Sequence, residues 1–309
     1  MSDTSNPPPP APTEPIATAE DEDPVRPRQH GFDWPMEQSQ LIAWFNILFL
    51  FIIFWTLHAP FLPYPSCVVL SAIFAATSIA VVILKASCTL IQTADDGVAA
   101  EMVYTPENFL NIAVPEGKIL CMYCKTIVTE DCKHCRACDK CIVGFDHHCM
   151  WLGACVGVKT YRLFFVFTVT TLFLMTYQAA IGWYLFAASV MDKDLFEHKV
   201  RRFHLVINNA IVYQVFVFLI ALYETFGVMA LGNLVGFHIF LKISNQSTYA
   251  WILKRREQKK QAEARGEDTR STKSALQILL PHKQCHVFRL RDYHYTHNPS
   301  LHHPHTTHT

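Results

Sequence analysis

From Gln38 to Leu84 the chain contains no Asp, Glu, Lys or Arg, and Pro60, Pro63 and Pro65 interrupt this run near its middle. A helix needs ~20 predominantly apolar residues to cross a hydrocarbon core of ~30 Å. The pattern therefore predicts two spans, Leu41 to Leu62 and Cys67 to Leu84, joined by a very short turn at the prolines. A helical hairpin in a soluble protein would show a polar face, and none is visible here. Leu163 to Met191 is a second charge-free block, bounded by Arg162 and Asp192, and predicts a third span. A fourth apolar stretch runs from Leu205 through Leu241, interrupted by Glu224. As one helix it would measure roughly 55 Å at 1.5 Å per residue, more than a membrane is thick. The part beyond Glu224, with Gly227, Gly232 and Gly236, is expected to leave the bilayer and pack on a soluble domain, with Glu224 as a solvated carboxylate near the bilayer surface.

Composition agrees with a membrane setting: 51% of the 309 residues are hydrophobic and 17% are charged, against about 25% charged in a typical soluble domain. A formal net charge of zero gives no reason to expect a nucleic-acid partner. The eight Lys and Arg between Lys85 and Arg162, and twelve more from Lys242 onward, contrast with none between the first two spans; four lie between the third and fourth. By the positive-inside rule both termini and the long middle loop are expected to be cytosolic. Met1 to His30, rich in Pro, Glu and Asp, reads as a disordered, unprocessed tail. The six His from His294 onward read as a solvated tail rather than a metal site.

Eight of the eleven cysteines fall between Cys121 and Cys155. The loop contains Cys121-Met-Tyr-Cys124, then Cys132, then His134-Cys135-Arg-Ala-Cys138-Asp-Lys-Cys141, then Asp146-His147-His148-Cys149 and finally Cys155. Paired CxxC units in a reducing compartment favour zinc over disulfides, since one such turn brings two sulfurs to one tetrahedral ion. Two four-ligand sites use eight residues, while eight cysteines and three histidines are present, so three are left for other work. Spacing alone does not say which three. Cys149 stands apart from the CxxC pairs and follows a carboxylate and imidazoles, the local group a thiol nucleophile requires.

With these motifs and the four-span layout, the chain resembles the DHHC protein S-acyltransferases over roughly Leu41 to Ala250. The resemblance implies an all-α integral membrane protein with four transmembrane helices and a small zinc-binding, cysteine-rich cytosolic domain between the second and third. It implies one structural zinc on Cys121, Cys124, His134 and Cys141, and a second on Cys135, Cys138, His148 and Cys155. Asp146, His147 and Cys149 are then the catalytic group, with Cys132 a spare thiol. Adjacent residues of an extended segment project to opposite sides, so His148 can face zinc while His147 faces the nucleophile. The implied activity takes a palmitoyl or other long-chain acyl group from acyl-CoA onto Cys149, and then onto cysteines of membrane-associated substrate proteins. Arg162, Lys159 and Lys140 are basic candidates for the CoA phosphates, against the plainer reading of solvated side chains. The expected setting is an endomembrane bilayer, endoplasmic reticulum or Golgi.

Several positions depart from the family's pattern. Gly153-Ala154 stands where a pair of Asn is usual, Thr160 stands for an Asn, and Asp95-Asp96-Gly97 stands for Asp-Pro-Gly. Ser247-Thr248-Tyr249-Ala250 stands for Thr-Thr-x-Glu, although Thr248 can still hydrogen-bond Asp146. These motifs brace the cytosolic domain, so a catalytically weak relative acting as a membrane scaffold or adaptor is the alternative. A RING-type ubiquitin ligase also interleaves two zincs but needs a terminal CxxC pair, which is missing after Cys141. The expected layout is a tail over 1–36, helices one and two over 37–86, the zinc-binding domain over 87–161, helices three and four over 162–241, and a tail over 242–309. Cys88 and Cys285, near or beyond the membrane edge, are expected to be unmodified thiols.

Overall fold

The computed structural model describes residues 27–99, 113–203 and 209–266. Four of its helices are long and apolar enough to cross a membrane: Gln38–Phe61, Ser66–Leu90, Tyr161–Met191 and Ala210–Ile243. With the cysteine-rich segment between the second and third, they make a mostly helical integral membrane protein of the expected class. The first span is α1 (Gln38–Ile53), continued by a π-turn over Phe54–His58 and a 3-10 turn over Ala59–Phe61. Pro60 falls inside that last turn, where the helix stops. The second span is α2 (Ser66–Leu90), and a short helix, α3 (Asp96–Ala99), follows it.

Three two-stranded antiparallel hairpins follow. They are β1 (Lys118–Cys121) with β2 (Thr126–Thr129), β3 (Lys133–Cys135) with β4 (Lys140–Ile142), and β5 (His147–Cys149) with β6 (Ala154–Val156). The chain returns through α4 (Tyr161–Met191), a short α5 (Lys193–Arg202), α6 (Ala210–Ile243) and a polar α7 (Thr248–Ala264). Asn209 caps α6 by accepting the Ile211 N–H at 2.8 Å. The outward faces of the spans carry Phe45, Ile79, Ile83, Phe226 and Met229 exposed, as a lipid-facing surface requires. At the end of the bundle away from the hairpins, Phe54, Phe61, Phe74, Leu185, Tyr213 and Val217 form an apolar core.

Three expectations change. Residues 27–36 do not continue a disordered tail: Arg28 N–H donates to Cys138 O at 3.0 Å and Gly31 N–H to Thr89 O at 2.7 Å, so the strand of chain before α1 lies against the cysteine-rich segment. The second span does not stop at Leu84, because α2 continues to Leu90 and buries both Lys85 and Cys88. Glu224 is not solvated; it is fully buried, as is His58. The reason is a close approach of α4 and α6 at Gly182, where a Cβ would lie 3.2 Å from Glu224 Oε2, 3.3 Å from Ala221 Cβ and 3.5 Å from His58 Nε2. The expected start of the fourth span at Leu205, the His-rich tail and Cys285 lie outside the described residues.

The end of α6 does reach the cysteine-rich segment, where the His238 ring lies 5.7 Å from that of His147. A helix of 34 residues is roughly 51 Å long at 1.5 Å per residue, long enough for both roles. Gly182→Val places methyls where α6 and His58 already sit and is expected to destabilise the bundle by about 1–3 kcal/mol. A lowered thermal unfolding midpoint in detergent checks this.

Candidate functional site

The three hairpins repeat one local plan. Each turn begins with a cysteine, has its fourth residue three positions on, and is followed by a residue with positive φ: Cys121–Cys124 then Lys125 at 49°, Cys135–Cys138 then Asp139 at 49°, and Cys149–Leu152 then Gly153 at 64°. The left-handed residue turns the chain back into the second strand. Gly153, in place of the usual Asn, suits that position because it has no Cβ to strain. In the first two turns the pattern delivers two sulfurs. In the third, Leu152 replaces the second cysteine, so Cys149 has no paired thiol.

The strand register supplies the other donors. His134 pairs with Cys141 across the second hairpin and His148 with Cys155 across the third. Two groups result, Cys121, Cys124, His134 and Cys141, and Cys135, Cys138, His148 and Cys155, each with its donor atoms within 4.8 Å of one another. These are the eight residues named from the sequence. Each group joins the turn of one hairpin to the cross-strand pair of the next. His134 Nδ1 lies 3.9 Å from Cys121 Sγ and 3.3 Å from Cys124 Sγ. His148 Nδ1 lies 3.8, 3.4 and 3.6 Å from the sulfurs of Cys135, Cys138 and Cys155.

The donor set fits a metal ion well. Both histidines present Nδ1 to the sulfurs and Nε2 to a carboxylate, His134 to Asp139 Oδ1 at 3.4 Å and His148 to Glu37 Oε1 at 3.7 Å. A carboxylate behind a ligating imidazole fixes its tautomer and orientation. Sulfur hydrogen bonds from Cys124 and Cys141 hold the Cys121 thiol well below its ordinary range, and those from Cys135 and Cys155 do the same for Cys138. Cys132 belongs to neither group. It donates to Asp95 Oδ2 at 3.4 Å, and burial, together with that carboxylate, pushes its thiol up.

Asp146, His147 and Cys149 come together at the third hairpin. Asp146 Oδ2 lies 2.8 Å from His147 Nδ1 and accepts the Thr248 hydroxyl at 2.6 Å, while Oδ1 accepts the Thr248 N–H at 2.9 Å. Thr248 thus serves Asp146 without the acid missing from its motif. With Nδ1 turned to the carboxylate, the His147 imidazole is also close enough to Cys149 for the two to influence each other's ionisation. Burial lowers the His147 pKa, but Asp146 and Cys149 outweigh it and raise it to about 9. Burial raises the Cys149 thiol, yet the hydrogen bond and charge of His147 and the Leu152 N–H hold it below its ordinary value. The arrangement can carry a thiolate–imidazolium pair oriented by a carboxylate.

Contacts also account for Thr160 and for the retained Asp95 and Gly97, while Asp96, in place of Pro, pairs with Lys159. Asp95 accepts the Thr129 hydroxyl at 2.7 Å and the Gly97 N–H at 3.0 Å, and its N–H donates to Cys141 O at 2.9 Å, which ties α3 to the first two hairpins. Gly97 is needed there, since a Cβ would meet Ile127 O at 2.6 Å. The buried Thr160 hydroxyl bonds Cys155 O at 3.3 Å and receives the Gly157 N–H at 3.2 Å. Lys140 is not a solvated cation open to a phosphate: it is buried and donates to Gln29 O at 3.1 Å and Gln92 Oε1 at 2.6 Å. Lys159 is engaged by Ala94 O and Asp96, whereas Arg162 is exposed.

Sequence reasoning missed Glu37 behind His148. It also missed His238, whose ring centroid is 5.7 Å from that of His147 and whose Nδ1 is 3.2 Å from the Tyr161 hydroxyl. A lone histidine in an apolar helix was the available signal. His238 also closes a third tight group with Asp146 and His147, but there the carboxylate is already committed to Thr248 and His147.

Hairpins with strands of three or four residues have no independent stability. Elemental analysis is expected to find two metal ions per chain and one after Cys141→Ala. Stripping both with a chelator should make the segment protease-sensitive while the helical circular dichroism stays.

The family model described as DHHC palmitoyltransferase matches residues 115–255. The chain is 31% identical over 130 residues to probable protein S-acyltransferase 7 of Arabidopsis thaliana, covering 41% of this chain and 27% of that protein. It is 30% identical over 130 residues to protein S-acyltransferase 8 of the same plant, covering 41% and 30%. It is also 31% identical over 162 residues to palmitoyltransferase ZDHHC18-A of Danio rerio, covering 50% and 32%. The matches thus span about a third or less of the length of these curated relatives. Together with the hairpins and the four spans, they identify the chain as carrying, over residues 115–255, a domain of the DHHC palmitoyltransferase family.

Proposed function

We propose that the protein is a protein S-acyltransferase that moves a long-chain acyl group from acyl-CoA to cysteines of membrane-associated proteins through a thioester on Cys149. The observation that carries this reading is the third turn, which keeps the first cysteine of the metal-binding plan, replaces the second with Leu152, and sets the unpaired thiol beside His147 and Asp146. Zinc is the metal that the sulfur and nitrogen donors suit best, with Cys121, Cys124, His134 and Cys141 on one ion and Cys135, Cys138, His148 and Cys155 on the other. With four protein ligands each, the ions hold the hairpins in place and leave the chemistry to side chains.

His147, oriented by Asp146, takes the Cys149 proton, and the thiolate attacks the thioester carbonyl. The bond from the acyl carbon to the CoA sulfur breaks, and that sulfur leaves with the proton from His147. A substrate thiol then gives its proton to His147, attacks the acyl-Cys149 carbonyl and releases the Cys149 thiolate. An apolar cavity of about 410 Å³ between α1, α2 and α4, lined by Trp44, Leu50, Phe51, Phe74, Val82 and Met175, suits the acyl chain, which gains about 0.8 kcal/mol per buried CH₂. The Lys and Arg excess on the segment between α2 and α4 supports a cytosolic site, where acyl-CoA and free thiols are available.

Intact-mass analysis of the purified protein with palmitoyl-CoA is expected to find one hydroxylamine-sensitive acyl adduct, absent in Cys149→Ser. An unmodified wild-type chain with both metals bound would overturn the proposal in favour of a scaffold. His147→Gln removes the base and is expected to slow adduct formation at neutral pH by about 10²-fold or more. It also removes the cation that lowers the Cys149 thiol, so the acid limb of the rate profile moves to higher pH.

A further inference from the structure

Lys85 is the one charged residue of α2. A lysine near the end of a membrane helix ordinarily extends its ammonium to water. Lys85 does not; its exposure is 1%. Its Nζ donates to Trp151 O at 2.6 Å and lies 5.0 Å from the centre of the Trp44 ring and 6.0 Å from that of Phe167. Among the described residues no carboxylate forms an ion pair with it. Burying an unpaired ammonium is costly, so its position calls for a partner that becomes negative.

The surroundings identify that partner. Trp151 lies inside the third turn, between Cys149 and Gly153, and Leu152 N–H bonds Cys149 O at 3.1 Å. One helical turn beyond Lys85, Cys88 packs in a single apolar cluster with Cys149, Leu152, Ala154, Val156 and Phe164. Lys85 itself reaches the carbonyl of Trp151, two residues beyond Cys149 in the same turn. In the first two hairpins the corresponding turn is closed by donors from the next hairpin; among the described residues no hairpin follows the third, and α2 packs against it.

We propose that Lys85 is a positioning residue for the thioester chemistry: its ammonium holds the Trp151 carbonyl, and with it the Cys149–Leu152 turn, and sets a fixed positive charge beside the sulfur. The inference rests on Cys149 being the acylated thiol. A charge in this dry cluster acts far more strongly than one in water, and because it is already in place it needs no reorganisation as negative charge develops.

The test measures the initial rate of acyl-adduct formation against palmitoyl-CoA concentration for the full chain in nanodiscs, with metal content determined for each variant. Lys85→Gln retains a donor for Trp151 O but no charge. Its maximal rate is expected to fall about tenfold or more while the half-saturating palmitoyl-CoA concentration stays roughly where it was and both metals remain. Lys85→Arg, which restores charge and donor, is expected to recover most of the rate. A Gln variant as fast as wild type, an equal loss in Gln and Arg, or a loss confined to the half-saturating concentration would overturn the proposal. Should the Gln variant lose its metals, Lys85→Arg decides: a retained rate supports the role of the charge, and a loss as complete as in Cys149→Ser overturns it. A wild-type chain that forms no adduct removes the thioester reading and this inference together, whereas an adduct indifferent to Lys85 removes this inference alone.

Discussion

The sharing of each donor group between two hairpins is the constraint on which the cysteine-rich segment depends. No hairpin holds a complete set of four ligands: a turn supplies two sulfurs, and the next hairpin's cross-strand histidine and cysteine supply the rest. An ion in either group therefore cross-links two elements that are each too small to be stable alone. The order of hairpins along the chain becomes the order in space, and the last turn in the series is the one without a successor.

That unmatched turn is where structure passes into chemistry. Leu152 removes the second sulfur, and beside its own hairpin's residues Cys149 packs with two from the helices, Cys88 from α2 and Phe164 from α4. Asp146 is steadied by Thr248 at the start of α7, and His238 of α6 lies against the His147 ring. The nucleophile candidate thus sits where three membrane helices meet the metal-binding segment. An activity on acyl chains would need this placement, since the apolar cavity lies between α1, α2 and α4, two of which also pack against Cys149.

Much of this was legible in the chain. Charge-free runs long enough to cross a bilayer mark the spans, and the CxxC spacing marks donors whose geometry is local. The substitutions at Gly153 and Thr160, and the loss of the acid after Thr248, look like erosion when read as letters. In space Gly153 takes the left-handed φ of its turn, Thr160 bonds Cys155 O and Thr248 still serves Asp146, because a carboxylate or carbonyl needs only a donor within reach.

Positions whose environment is set by helix rotation were not legible. Glu224 interrupts an apolar run and reads as interfacial, but the face it occupies is decided by where Gly182 lets α4 and α6 approach. Lys85 reads as the end of a span, but α2 runs on and turns it inward under Trp44. Arg28 to Glu37 reads as tail because the contacts that dock it, Arg28 N–H on Cys138 O, Lys140 Nζ on Gln29 O and Glu37 facing His148, are with residues distant in the chain. Periodicity marked the spans and CxxC spacing the paired sulfurs, because those depend on residues close together in the chain, while the full donor sets and the unpaired thiol were implied by the family resemblance. The burial of Glu224 and Lys85, Glu37 facing His148 and His238 beside His147 were decided only by tertiary structure, because they depend on how separate elements rotate and approach.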